Sequence, residues 1–380
     1  MSEVSLPLDI LFFLQPNSSF ASVLENLFKL KLSTLLSAPL RISFTNNTPY
    51  VTADAASLME CVSVPVPESV SPEGSVAVTY VHWPADPEVV RERGRSLPLL
   101  LVHGFDSSCL EYRRLGPLLA SAGIDSYAVD ILGWGFGQMG DSIESFSADA
   151  KVATLAAFWE TINCGAAGRS QKREVCVVGA SLGGAAAIEF AEARPDVAKG
   201  LILIDAQGFV DGVGPMSMLP KPLAQLGVKV LKSVPLRNSA NQMSYYDPKT
   251  FATDDALKIG RLHCQRAGWN DALVSFMLSG GFSPTKKVSK IEVPSLVLWG
   301  REDTILEKKF ATQFLETLPD GELQWIEECG HVPHLEQPKV TTDAIVEFLR
   351  SDKFQDINLP AVANDKGGNI LEMFQNMFKP

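Results

Sequence analysis

Five short apolar runs, each stopping at glycine or a polar residue, constrain this chain more than any other feature. They occupy residues 99–103, 126–131, 174–179, 201–205 and 295–300, and helix-like stretches such as 146–162 and 183–193 separate them. Short apolar strands alternating with helices build βαβ units, and the mostly parallel sheet they form is covered on both faces. The fold class is therefore α/β. Ligands on such sheets sit beyond the carboxyl ends of the strands, and the polar residues of interest fall there. Upstream, β-branched residues alternate over 62–66 and 76–82, followed by the charged stretch 88–95, which reads as a hairpin with a polar connection.

The alternation breaks between Asp205 and Pro294, an interval too long for a plain connection in a compact domain. Residues 223–236 and 256–278 look helical there, punctuated by Pro215, Pro220, Pro222, Pro235 and Pro284. Residues 207–283 are read as an inserted helical cap over the active edge of a core made of 61–206 and 284–352. Its apolar side chains, among them Met216, Met218, Leu219, Leu226, Leu231 and Phe276, are expected to roof a pocket. Residues 1–60 form a separate leader, with an amphipathic stripe from Phe20 to Leu36 that packs on the core or rests on a membrane as a peripheral contact. Residues 353–380 read as a tail.

With 380 residues the chain buries a core that needs no staples. The net charge of -11 opposes nucleic acid and anionic membranes, and no basic run tracks phosphates, so nucleic-acid binding is set aside. Six scattered cysteines with no CxxC pair point to reduced thiols in an intracellular compartment. The apolar run from Ile10 to Leu14 is too short to span a bilayer, and no other run reaches spanning length.

The chemistry is carried by Gly179-Ala180-Ser181-Leu182-Gly183, a G-x-S-x-G sequence between an apolar run and an Ala-rich helix. A serine in so sharp a strand-to-helix turn takes strained backbone angles, and the flanking glycines let the turn close. A serine hydroxyl needs a base within hydrogen-bond reach. Among five histidines, His331 in Cys329-Gly330-His331 falls on a loop late in the chain, after a strand-like 324–327. His334 is its rival and His103 marks a tight turn. The acid comes between nucleophile and base in the chain. Asp303, after the run 295–300, is the candidate; Asp205 is the alternative. Backbone amides of Leu182 and Phe105 are the expected oxyanion donors. Gly135–Gly140 fits G-x-G-x-x-G, but the next strand begins too far on for a dinucleotide fold. No cofactor and no metal site is expected, since neither HExxH nor a ligand cluster is present.

These motifs together resemble the α/β-hydrolase superfamily in its capped, serine branch, over residues 75 to 350. The matching segments are His103-Gly104-Phe105, Asp130 to Gly135, Gly179 to Gly183, Leu298 to Asp303 and Gly330-His331. The resemblance implies an α/β-hydrolase fold and hydrolysis of a small carboxylic ester with a lipophilic part through an acyl-enzyme. It leaves open a receptor-like protein with slow turnover, or a C–C hydrolase or acyltransferase using the same triad. Residues 101–112 and 259–264 also resemble a plant and algal group placed in plastids, with the cytoplasm as the alternative.

Overall fold

The computed structural model describes residues 57–163 and 173–357. The amphipathic stripe and its membrane contact, and most of the tail, lie outside the described residues. Eight strands form one sheet in the order β1-β2-β4-β3-β5-β6-β7-β8. The hairpin β1 (Met59–Pro65) and β2 (Ser75–Trp83) is antiparallel, and β2 also joins β4 antiparallel. From β4 onward every pairing is parallel. The charged connection after the hairpin is itself helical, α1 (Pro87–Arg93), started by Asp86, whose side chain accepts from the amides of Glu88 and Val89.

The apolar runs became the inner strands because side chains that are almost all apolar gain from burial on both faces. β3 (Leu99–Val102), β4 (Ser126–Val129), β5 (Val175–Ala180) and β7 (Ser295–Gly300) are buried at every position. β6 (Ala198–Ile204) lies between β5 and β7, and β8 (Gly321–Ile326) closes the edge. One face packs on α3 (Ala148–Asn163) and α4 (Leu182–Ala193) through residues such as Phe158 and Ile188. The other packs on α2 (Leu115–Ser121) and α10 (Pro338–Leu349), through Leu115 and Ile345. Helix α9 (Lys309–Thr317) precedes β8. Phe354 is fully buried, its ring 5.1 Å from that of Phe348, so the packed body runs past residue 352 into what reads as tail.

The chain leaves β3 toward β4 on one side and returns to β5 on the other. The crevice where connections diverge therefore opens at the carboxyl ends of β3 and β5.

Between β6 and β7 lie α5 (Lys221–Leu231), α6 (Val234–Met243), α7 (Asp254–Leu262) and α8 (Trp269–Leu278), with shorter turns. The two long helices expected from periodicity are each broken. Pro235 has no amide proton and is tolerated only in a first turn, so α6 starts afresh after Ser233. Gly268, at a φ of 84°, takes the left-handed conformation that ends one segment and opens α8.

Candidate active site

The turn after β5 shows why glycine flanks the serine. Ser181 has φ 51° and ψ -124°, a region that costs a non-glycine residue energy and persists only where its surroundings fix it. Here they do: its amide donates to the Ile204 carbonyl at 3.0 Å, and its own carbonyl accepts from Gln207 at 2.8 Å. A Cβ on Gly183 would stand 2.3 Å from the carbonyl oxygens of Val102 and His103, and one on Gly179 would meet Gly183 and Gly184. No side chain fits at either position.

His331 reaches this turn from the loop after β8. Its Nε2 lies 2.9 Å from Ser181 Oγ and its Nδ1 2.8 Å from Asp303 Oδ2. The other oxygen of Asp303 accepts from the amides of Ile305 (2.7 Å) and Leu306 (3.1 Å), which marks the carboxyl as an acceptor. Nδ1–H of His331 therefore donates to Asp303, leaving Nε2 to accept from the serine hydroxyl. Histidine and aspartate are both 6% exposed, so the line is shielded from water apart from its serine end. The structure thus brings Ser181, His331 and Asp303 together.

Asp205 also comes close. It is fully buried, its Oδ1 accepts from the Gly300 amide at 3.0 Å, and one ligand atom each from Asp205, Asp303 and His331 lies within 4.8 Å of the others. Burial first, then the charge of Asp303, pushes its carboxyl well above the usual range. Its charged form is disfavoured there.

The loop after β3 lies against the nucleophile: a Cβ on Gly104 would be 3.3 Å from that of Ser181. His103 is fully buried, which lowers its pKa and keeps the ring neutral. Its Nε2 accepts from the Ile131 amide at 3.1 Å, so Nδ1–H donates to the Gly104 carbonyl at 2.8 Å. The Gly104 carbonyl and the Phe105 N–H belong to one planar trans peptide, so they leave it in opposite directions. Fixing one fixes the other. On the preceding peptide, the Gly104 amide donates to both oxygens of Glu111 at 3.2 Å. Burial alone would raise the Glu111 carboxyl, but the hydrogen bond and charge of His334 outweigh it and hold the pKa at about 2. His334, the rival base, is thus engaged 3.1 Å from Glu111.

Above Ser181 lies a cavity of about 390 Å³, lined on the sheet side by Phe105, Leu182 and His331 and above by residues between β6 and β7. Met216, Leu219, Val228, Leu231 and Met277 line it. Phe276, expected in the roof, instead packs edge-on against Trp134 with centroids 5.1 Å apart, and Met218 is 84% exposed. In the G-x-G-x-x-G stretch, Gly135 closes against a carboxylate while Gly137 lies against the β2 backbone at Ala77. A Cβ on Gly135 would collide with Asp130, which accepts from the amides of Cys109 and Phe136.

Two buried carboxylates went unnoticed in the sequence. Glu336 accepts from the amides of Gly330 (2.7 Å), Asp247 (2.8 Å) and Tyr246 (3.0 Å), tying the segment after α6 to the His331 loop. Asp106, directly after Phe105, meets Arg237, His263 and Trp269 from the overlying helices. Asp106, His263 and Cys264 could by distance hold a cation, but the Arg237 guanidinium already supplies the positive charge there. The one sequence signal for this cluster is His263 in the segment 259–264.

A parallel sheet with a serine turn after its middle strand, linked through histidine to aspartate, is the arrangement of an α/β hydrolase. The chain belongs to that family: the alpha/beta hydrolase family model matches residues 99–344. It is 37% identical over 251 residues to the alpha/beta hydrolase domain-containing protein VTE7 of Arabidopsis thaliana, covering 66% of this chain and 73% of that one. It is 27% identical over 267 residues to the 2-hydroxy-6-oxononadienedioate/2-hydroxy-6-oxononatrienedioate hydrolase of Burkholderia vietnamiensis, covering 66% and 86%. Among solved structures, a thermophilic esterase from Thermogutta terrifontis superposes with a TM-score of 0.59 at 20% identity, over 77% of this chain and 98% of that one. Among the described residues, no helix is long and apolar enough to cross a membrane.

Proposed function

We propose that this hydrolase cleaves carboxylic esters with a lipophilic part through an acyl-enzyme on Ser181. The observation that carries the reading is the hydrogen-bonded line Ser181–His331–Asp303 at the foot of an apolar-roofed cavity. As Oγ attacks the ester carbonyl, His331 Nε2 takes the hydroxyl proton, and the amides of Leu182 and Phe105 receive the negative oxygen. The same proton then goes to the departing alcohol. Water, deprotonated by His331, attacks the acyl-enzyme, and the acid is released as His331 returns that proton to the departing Ser181 Oγ.

The test is fluorophosphonate labelling of Ser181 together with turnover of p-nitrophenyl esters from acetate to decanoate. Each methylene buried in the cavity contributes about 0.8 kcal/mol, roughly a fourfold gain in kcat/KM until the cavity is full. Leu219→Asn and Leu231→Gln, both at the cavity wall, should flatten that rise while leaving the labelling rate unchanged. A preference for acetate that neither substitution alters would overturn the lipophilic part of the proposal. Labelling with negligible turnover would favour a receptor-like role.

A second reading, C–C bond hydrolysis, is supported by the likeness to the Burkholderia hydrolase; turnover of a dienoate and none of the esters would establish it. We place the protein in a plastid, on the resemblance of residues 101–112 and 259–264 and the similarity to the Arabidopsis relative. A fluorescent fusion of the full chain confined to the cytosol would overturn that placement.

A further inference from the structure

We propose that Asp106 is a positioning residue through which the helices above the cavity align the oxyanion loop, so that the Phe105 amide is correctly placed only while those helices are seated. The inference rests on the ester-hydrolase reading above. Asp106 follows Phe105 in the chain, is 1% exposed and has φ 47°, a conformation that a non-glycine residue holds only under constraint. Among the described residues, the three hydrogen-bonding partners of its carboxylate all come from between β6 and β7. Arg237 of α6 pairs with Oδ2, while His263 Nε2 (2.9 Å) and Trp269 Nε1 of α8 (2.7 Å) meet Oδ1. Arg237 also donates to the Asp106 backbone carbonyl at 3.4 Å. The Phe105 unit is thus bracketed, with Gly104 held by Glu111 and His103 from the core and Asp106 held from above.

The charges explain why the bracket holds. Burial would raise the Asp106 carboxyl, but Arg237 and His263 outweigh it and keep the group far below its ordinary range. Burial would lower the pKa of His263, yet Asp106 outweighs that and lifts it to about 9. The imidazolium also faces Cys264 Sγ at 3.5 Å and the neutral ring of His103, and Arg237 faces Cys264 at 3.1 Å. Lys151 of α3, buried against Trp134 and Phe276, also senses Asp106, though burial lowers its pKa and disfavours its charged form. The folded pKa of His263 exceeds its unfolded value of about 6.5. Its contribution to holding Asp106 is therefore complete below about 6.5 and is lost as pH rises through about 9. Metal chemistry is not needed for any of this.

The experiment measures kcat and KM for p-nitrophenyl butyrate, and the rate of fluorophosphonate labelling, from pH 6 to 10 on the full chain. Wild type should lose kcat and labelling rate along a limb near pH 9 with KM little changed. His263→Gln keeps a neutral donor. It should run about tenfold below wild type at pH 7, since ångström-scale misplacement of a reacting group costs rates of this order or more, and its limb near pH 9 should vanish. Trp269→Phe removes an uncharged donor and should lower kcat while keeping the limb, which preserves the test if His263→Gln fails to fold. A limb unchanged in His263→Gln, a wild-type profile flat through pH 9, or a Trp269→Phe effect confined to KM would overturn the proposal. A wild type that labels at Ser181 but shows no such limb fails this inference alone. One that neither labels nor turns over fails the hydrolase reading beneath it.

Discussion

Replacing Ser181 by alanine is expected to lower kcat for any accepted ester by about 10³-fold or more while leaving the melting temperature unchanged. The two halves of that expectation come from different atoms. The hydroxyl is the attacking group, and its loss removes acyl transfer, leaving only binding and oxyanion stabilisation; 10³ corresponds to about 4 kcal/mol of barrier. The strained backbone is held by main-chain bonds to Ile204 and Gln207, which alanine keeps, and Oγ bonds only to His331 among the described residues. Steady-state kinetics and a thermal melt on the same preparation check both halves. Near-normal activity in a folded Ser181→Ala protein would remove Ser181 from the mechanism and send the search to another nucleophile.

What the sequence reveals and what it hides follow from the range of the interactions. The inner strands are legible because a strand buried on both faces must be apolar throughout, and residues 295–300 do form β7 end to end. The turn at Ser181 is legible because its glycines are a local steric need. The helix breaks at Ser233 and Gly268 are harder to read, since apolar spacing continues across them while a single proline or left-handed glycine decides the geometry. Asp106 is hidden for another reason. Its partners Arg237, His263 and Trp269 lie 131, 157 and 163 positions away, and no local pattern marks a carboxylate whose counter-charges arrive from an insertion. Glu336 likewise reaches Tyr246 and Asp247 across 90 and 89 positions. Chain order and position at a strand end make Asp303 the candidate acid with Asp205 as the alternative, and the direction of the His331 ring distinguishes them.

That distinction gives the sharpest contrast between two chemically identical substitutions. Asp303→Asn should lower kcat by about 10⁴-fold, because an amide in place of the carboxylate favours the wrong tautomer of His331 and withdraws the charge that stabilises the imidazolium. Asp205→Asn should leave kcat at pH 7 within a few-fold of wild type. Burial and the charge of Asp303 push the Asp205 carboxyl up and so disfavour its charged form, and an uncharged asparagine can still accept from the Gly300 amide through its oxygen. The stability signs separate the pair further. A buried acid whose pKa is raised in the fold stabilises fully only below its unfolded value of about 3.9, and that contribution is lost as pH climbs through the folded value. Asp205→Asn removes the loss, so the variant should melt higher than wild type at pH 7, with the gap closing below about pH 4. Asp303 is different, since its carboxylate is satisfied by the amides of Ile305 and Leu306 and by His331. An amide nitrogen turned toward Ile305 and Leu306 leaves a donor facing a donor, and one turned toward His331 is accepted only by the wrong tautomer. Parallel pH–kcat and pH–melting profiles of the two variants decide the matter. If Asp205→Asn is the more damaging to kcat, the orienting acid is Asp205 and the bond between Asp303 and His331 is structural.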